Sequence, residues 1–66
     1  MNIQINGESR EIPENSTAQQ LVELLELSDK RLAMEINREI IPRSLYVDTL
    51  LHEGDEIEIV HAIGGG

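Results

Sequence analysis

The chain has 66 residues, no cysteine and a formal net charge of −8, which bounds it to one small domain and excludes disulfides, iron–sulfur ligation and thiol catalysis. Its basic residues, Arg10, Lys30, Arg31, Arg38 and Arg43, are scattered, so they form no footprint for a nucleic-acid backbone; the acidic balance either keeps the protein soluble or favours a basic partner. His52 and His61 stand apart and make no metal site, and the absence of a signal-like start or a long apolar run leads us to expect a soluble, cytoplasmic, single-domain protein.

"MNIQIN" alternates, with Met1, Ile3 and Ile5 on one side and Asn2, Gln4 and Asn6 on the other; that period of two predicts a half-buried strand. Asn6-Gly7 follows and signals a type I′ hairpin, whose two central residues need positive φ. "ESREIP" returns as a weaker strand, with Ile12 inward and Pro13 ending it. The period then changes. In "ENSTAQQLVELLELSD" Ala18, Leu21, Val22 and Leu25 recur every three or four residues, widened by Leu24, which predicts an amphipathic helix. Ser16 or Thr17 can cap its start, with Gln19 or Gln20 completing a capping box. Glu23 and Glu26 fall on the solvent side, Ser28-Asp29 ends the helix, and Lys30 and Arg31 suit the negative end of its dipole.

"RLAMEIN" alternates again, Leu32, Met34 and Ile36 inward and Ala33, Glu35 and Asn37 outward. "NRE" turns the chain into a short edge segment at Ile40-Ile41, and Pro42 opens a turn or a single helical turn. Tyr46, Leu50 and Leu51 are expected at the bottom of the core. After a turn at Gly54-Asp55 comes a last strand, Ile57 and Ile59 inward, Glu56, Glu58 and Val60 outward. The reading is therefore α+β: a mixed sheet of four to five strands covered by one main helix, with the first and last strands paired in parallel at its centre.

No nucleophile stands beside a base, and no glycine-rich loop joins a strand to a helix, so the chain carries no catalytic machinery of its own. What remains is the tail, "HAIGGG", residues 61–66. Its reactive group is the α-carboxylate of Gly66, inert until activated; adenylation by ATP would open it to an amine or a sulfur nucleophile. Glycine suits entry into another protein's channel, because it has no Cβ and accepts any φ/ψ the channel imposes. Six extended residues reach about 20 Å. A frayed end is the plainer reading of the same glycines.

Taken together, "IN" closing the third strand, "IIPR" at residues 40–43, the aromatic Tyr46, "GDEIEIV" at residues 54–60 and the closing glycines resemble the ThiS family, the sulfur carrier proteins of thiamin biosynthesis. The resemblance runs the length of the chain and is most specific over its last thirty or so residues; Tyr46 stands where many members have Trp. It implies the ubiquitin-like β-grasp fold and a flexible C-terminal glycine tail. It also implies a carrier rather than an enzyme, with no bound cofactor. A ThiF-type adenylyltransferase would adenylate Gly66 with ATP. Sulfur from a persulfide donor such as a cysteine desulfurase would replace AMP to give a thiocarboxylate, and thiazole synthase (ThiG) would take that sulfur.

Under this reading Ile63, Gly64, Gly65 and Gly66 enter the partner's active site. The outward residues Ala33, Glu35, Glu58 and Val60 are candidates for a docking face or for an ordinary solvated one, and Glu56 and Glu58 could steer the tail toward a basic nucleotide site. Three alternatives stay open: the small subunit of molybdopterin synthase, a ubiquitin-like protein modifier, and a β-grasp module that binds without covalent chemistry. No nucleic-acid or membrane partner is expected.

Overall fold

The computed structural model describes residues 1–61. Five strands form one sheet: β1 (Asn2–Ile5), β2 (Glu8–Glu11), β3 (Leu32–Ile36), β4 (Glu39–Ile41) and β5 (Glu56–His61), in the spatial order β2-β1-β5-β3-β4. The expected parallel pair lies at the centre, Gln4 opposite Glu56 and Ile5 opposite Ile57. The other neighbours are antiparallel. His61, read as the first tail residue, instead belongs to β5 and pairs with Leu32. The rest of the tail, with its expected flexibility, lies outside the described residues.

Both hairpins are two-residue turns. Asn6 and Gly7 have φ of 51° and 85°, as a type I′ turn requires, and Asn37 and Arg38 repeat the pattern at 51° and 71°. One sheet face is apolar: Ile3, Met34, Ile57 and Ile59 pack with Ala18, Leu21 and Val22 of the helix α1 (Ala18–Leu24), and with Ile12, Tyr46 and Leu51. Ile12 lies just past β2, every residue of which is exposed. The charged, fully exposed β2 is a poor template for pairing with another chain.

Helix α1 starts where the sequence indicated and stops sooner. Thr17, not Ser16, is the cap. Its Oγ1 accepts from Gln20 N at 3.2 Å, while its own N–H donates to Gln20 Oε1 at 2.8 Å, closing the capping box. Ser16 is buried and its hydroxyl donates to Pro13 O. At the other end Glu26 N donates to Glu23 O and Leu27 N to Val22 O, with Glu26 at φ 60°. This pair of bonds is a Schellman motif, and the left-handed position that glycine normally fills is held by a glutamate. The helix thus has seven residues, not the longer span ending near Ser28, and Leu24 is exposed. Lys30 and Arg31 are too far past its end to meet its dipole. The loop they occupy is held instead by Arg43, whose guanidinium donates to Lys30 O at 2.7 Å and Ser28 O at 2.6 Å, and lies 5.8 Å from the centre of the Tyr46 ring.

Pro42 caps a 3-10 helix, Arg43–Asp48, longer than the single turn expected. It delivers Tyr46 to the core. Of Leu50 and Leu51 only Leu51 is buried; Leu50 is 46% exposed. Leu50 forms an isolated bridge to Thr17, and in extended backbone adjacent side chains point opposite ways. At the Gly54-Asp55 turn, the buried carboxylate of Asp55 ties two loops together, accepting from His52 N at 2.8 Å and from Asn37 Nδ2 at 3.0 Å.

The terminal ammonium of Met1 donates to Ile12 O at 2.7 Å and faces the carboxylates of Glu14 at 3.1 Å and Glu11 at 3.2 Å. The hydrogen bond to Glu14, above all, raises its pKa from the ordinary 8.0 against the opposing pull of desolvation, with Glu11 adding to the rise.

Glu26→Gly should raise stability by up to about 1 kcal/mol by relieving the left-handed glutamate; an unchanged or lower urea midpoint would contradict it. The raised ammonium pKa means that its contribution is complete below pH 8, the unfolded value, and is lost as pH climbs through the folded one. The urea midpoint should therefore decline above pH 8, and Glu14→Gln should flatten that decline.

Candidate functional site

Strand parity creates the candidate face. Side chains alternate across a sheet, so the register that sends Ile57 and Ile59 into the core sends Glu56, Glu58 and Val60 to the side away from α1. Antiparallel pairing with β3 sets Ala33 opposite Val60 and Glu35 opposite Glu58, and pairing with β4 sets Ile40 opposite Glu35. The four residues expected on one outward face, Ala33, Glu35, Glu58 and Val60, are therefore neighbours. They border a shallow groove of about 180 Å³, with Asn6 on one side and Ile40 on the other. Ile40, 73% exposed, is the residue that sequence reasoning missed, since a short edge segment such as Ile40-Ile41 shows no face of its own. Its signal was the cross-strand register, which a single strand does not display.

The face is amphipathic. Val60, 70% exposed, Ile40 and Ala33 supply apolar surface, and Glu35 and Glu58 supply charge. Like charges directly opposite in a sheet do not stabilise it, so the pairing of Glu35 with Glu58 is not one that strand pairing favours. Beyond it, Arg38 borders a second groove of about 250 Å³ with Glu56, Glu58 and Gln4. Val60 adjoins His61, the last described residue, so the apolar part of the face lies at the root of the tail and the Arg38 end lies away from it.

Asparagines brace β5 on both edges. Asn6 Oδ1 accepts from Ile59 N at 2.9 Å and its Nδ2 donates to Ile59 O at 3.1 Å. On the β3 side Asn37 Oδ1 accepts from Glu56 N at 3.0 Å. The strand that leads to the tail is thus tied near its end and at its start by side chains of the two hairpins. Ile63, Gly64, Gly65 and Gly66 lie outside the described residues. Among the described residues no group of three or more His, Asp or Glu could hold a metal ion, and no helix is long and apolar enough to cross a membrane.

The fold has counterparts among known proteins. The solved crystal structure of a thiamine biosynthesis protein (ThiS) from Geobacter metallireducens superposes with a TM-score of 0.84 at 26% identity, over 100% of both chains. That likeness establishes the β-grasp fold, with five strands and one helix. The chain is 37% identical over 65 residues to the sulfur carrier protein ThiS of Bacillus subtilis, covering 97% of this chain and 98% of that one. It is also 39% identical over 66 residues to a thiazole synthase of Paramagnetospirillum magneticum; the match takes in 100% of this chain but only 20% of that protein's length. Residues 3–66, closing glycines included, match the ThiS family, and the chain belongs to it.

Proposed function

We propose that this chain carries sulfur for thiamin thiazole formation, as a thiocarboxylate at the α-carboxyl of Gly66. The observation that carries the reading is the family match itself, which spans residues 3–66, from within β1 through the closing glycines. The name borne by the relative similar over nearly its whole length, sulfur carrier protein, supports the cargo. Thiazole synthases from Paramagnetospirillum magneticum and Magnetococcus marinus that contain a similar stretch support the acceptor.

The chemistry divides cleanly between carrier and partners. A carboxylate oxygen of Gly66 attacks the α-phosphorus of ATP in a ThiF-type adenylyltransferase and expels pyrophosphate, leaving an acyl adenylate. The terminal sulfur of a persulfide, from a donor such as a cysteine desulfurase, attacks the acyl carbon and AMP departs. Cleavage of the resulting S–S bond by a thiol leaves the thiocarboxylate, which thiazole synthase consumes. The chain contributes one reacting group and its delivery. Five residues follow His61, so the carboxyl reaches at most about 17 Å from the end of β5. Gly64, Gly65 and Gly66, lacking Cβ atoms, pass through a channel that would stop larger residues.

That short reach requires the partner to seat close to the tail's root, where Ala33, Val60 and Ile40 offer apolar contact and Glu35 and Glu58 offer charge to a basic surface. The acidic balance of the whole chain adds long-range attraction to such a surface.

Intact mass after incubation with the adenylyltransferase, ATP and a persulfide source should rise by the difference between sulfur and oxygen. Removing Gly65 and Gly66 should abolish that gain and leave the thermal midpoint unchanged; a mass that never changes beside a carrier known to be active would refute the reading. Charge reversal by Glu58→Lys should slow adenylation several-fold at low salt, with the deficit shrinking as ionic strength rises. Equal rates and an equal salt slope would remove Glu58 from the docking face.

A further inference from the structure

Strand β1 pairs with β5 at Gln4–Glu56 and Ile5–Ile57, then leaves the sheet at the Asn6-Gly7 turn. Strand β5 runs on to His61. Along that last stretch β3 follows one edge as far as Leu32–His61. On the other edge, the next position that faces β1 is Ile59, and there the Asn6 carboxamide takes the place of the missing strand residue. Its oxygen accepts from Ile59 N–H at 2.9 Å and its nitrogen donates to Ile59 C=O at 3.1 Å.

The turn alone does not call for this. At φ 51° glycine or aspartate would serve a type I′ turn as well. Only asparagine adds a planar group with one acceptor and donors at the spacing of a peptide. Aspartate has no donor and would set a carboxylate oxygen against the Ile59 carbonyl.

Ile59 stands two residues before His61, so Asn6 holds the β1 edge of β5 close to the strand's end. Without these two hydrogen bonds the β1 edge of β5 would be open at Ile59, and play in the strand there would pass to the tether that carries Gly66. A looser root spreads the terminal carboxyl around a fixed docking site, and small displacements of a reacting group are costly to rate. We infer that Asn6 is a positioning residue for sulfur loading: it fixes the root of the tail so that Gly66 is presented from a set point. This rests on the carrier reading above.

The test compares the wild-type chain with Asn6→Gly and Asn6→Asp, using amide hydrogen exchange and the steady-state kinetics of adenylation by the ThiF-type enzyme. Asn6→Gly should accelerate exchange at Ile59 and lower kcat, on the order of tenfold. Although Asn6 borders the docking groove, KM for the carrier should change less than kcat, because Ala33, Glu35, Glu58 and Val60 keep their pairing with one another. Asn6→Asp should behave at least as badly. Leu51→Val, a core change outside β1 and β5, serves as a control for lost stability and should leave kcat alone. Unchanged exchange at Ile59 would overturn the anchor. Faster exchange with unchanged kcat, or an equal loss in Leu51→Val, would overturn positioning while the carrier reading stands. A wild-type chain that is never adenylated would overturn both.

Discussion

Strand β5 sits at the centre of the sheet, and its parallel partner β1 is the first segment of the chain. A parallel pair cannot be joined by a tight turn, so everything between these strands is a connection that must pack against them. The hairpin to β2, helix α1, the β3–β4 hairpin and the 3-10 helix all lie within that one excursion. The helix covers the apolar face, and its Leu21 and Val22 share one core cluster with Ile57 and Ile59. The core is therefore completed by the last strand described. The root of the tail acquires its fixed position only when the whole domain is folded.

Much of this was legible in the sequence because the signals are local. Alternation in "MNIQIN", "LAMEI" and "DEIEIV" assigns faces without knowledge of neighbours, and Asn6-Gly7 needs only its own φ values. The misreadings arose where a tertiary fact decided. Leu25 and Leu27 continue an apolar pattern past Leu24 and both are half-buried, so periodicity alone extends the helix; it ends where Glu26 adopts a conformation for which glutamate gives no cue. Leu50 and Leu51 are equally apolar, and only the bridge to Thr17 decides which faces out. Lys30 and Arg31 looked like partners of a helix end, while the residue that holds their loop, Arg43, comes from beyond β4.

The candidate face was legible for the same reason as the core. One parity rule places Ile57 and Ile59 inside and Glu58 and Val60 outside, so no shift of register could preserve one set and lose the other. What parity could not supply was adjacency. That Glu35 lies opposite Glu58, and Ile40 opposite Glu35, follows from pairings between strands and not from any one of them. The face that results is mixed, with Glu35 and Glu58 side by side and Val60, Ala33 and Ile40 around them.

The two hairpin asparagines share a further property. Both occupy the first central position of a type I′ turn, and both carboxamide oxygens accept from β5: that of Asn37 from Glu56 N at the start of the strand on the β3 side, while its nitrogen donates to Asp55, and that of Asn6 from Ile59 N near the strand's end on the β1 side. Turn chemistry explains a residue that tolerates positive φ but not the shared target. A strand held at both ends, on opposite edges, resists sliding and peeling in a way that ladder bonds from a short β1 do not provide. If the function of the chain resides in a carboxyl reached by five residues past that strand, rigidity is needed up to His61 and conformational freedom immediately after it. The bracing asparagines and the closing glycines then meet opposite halves of one requirement.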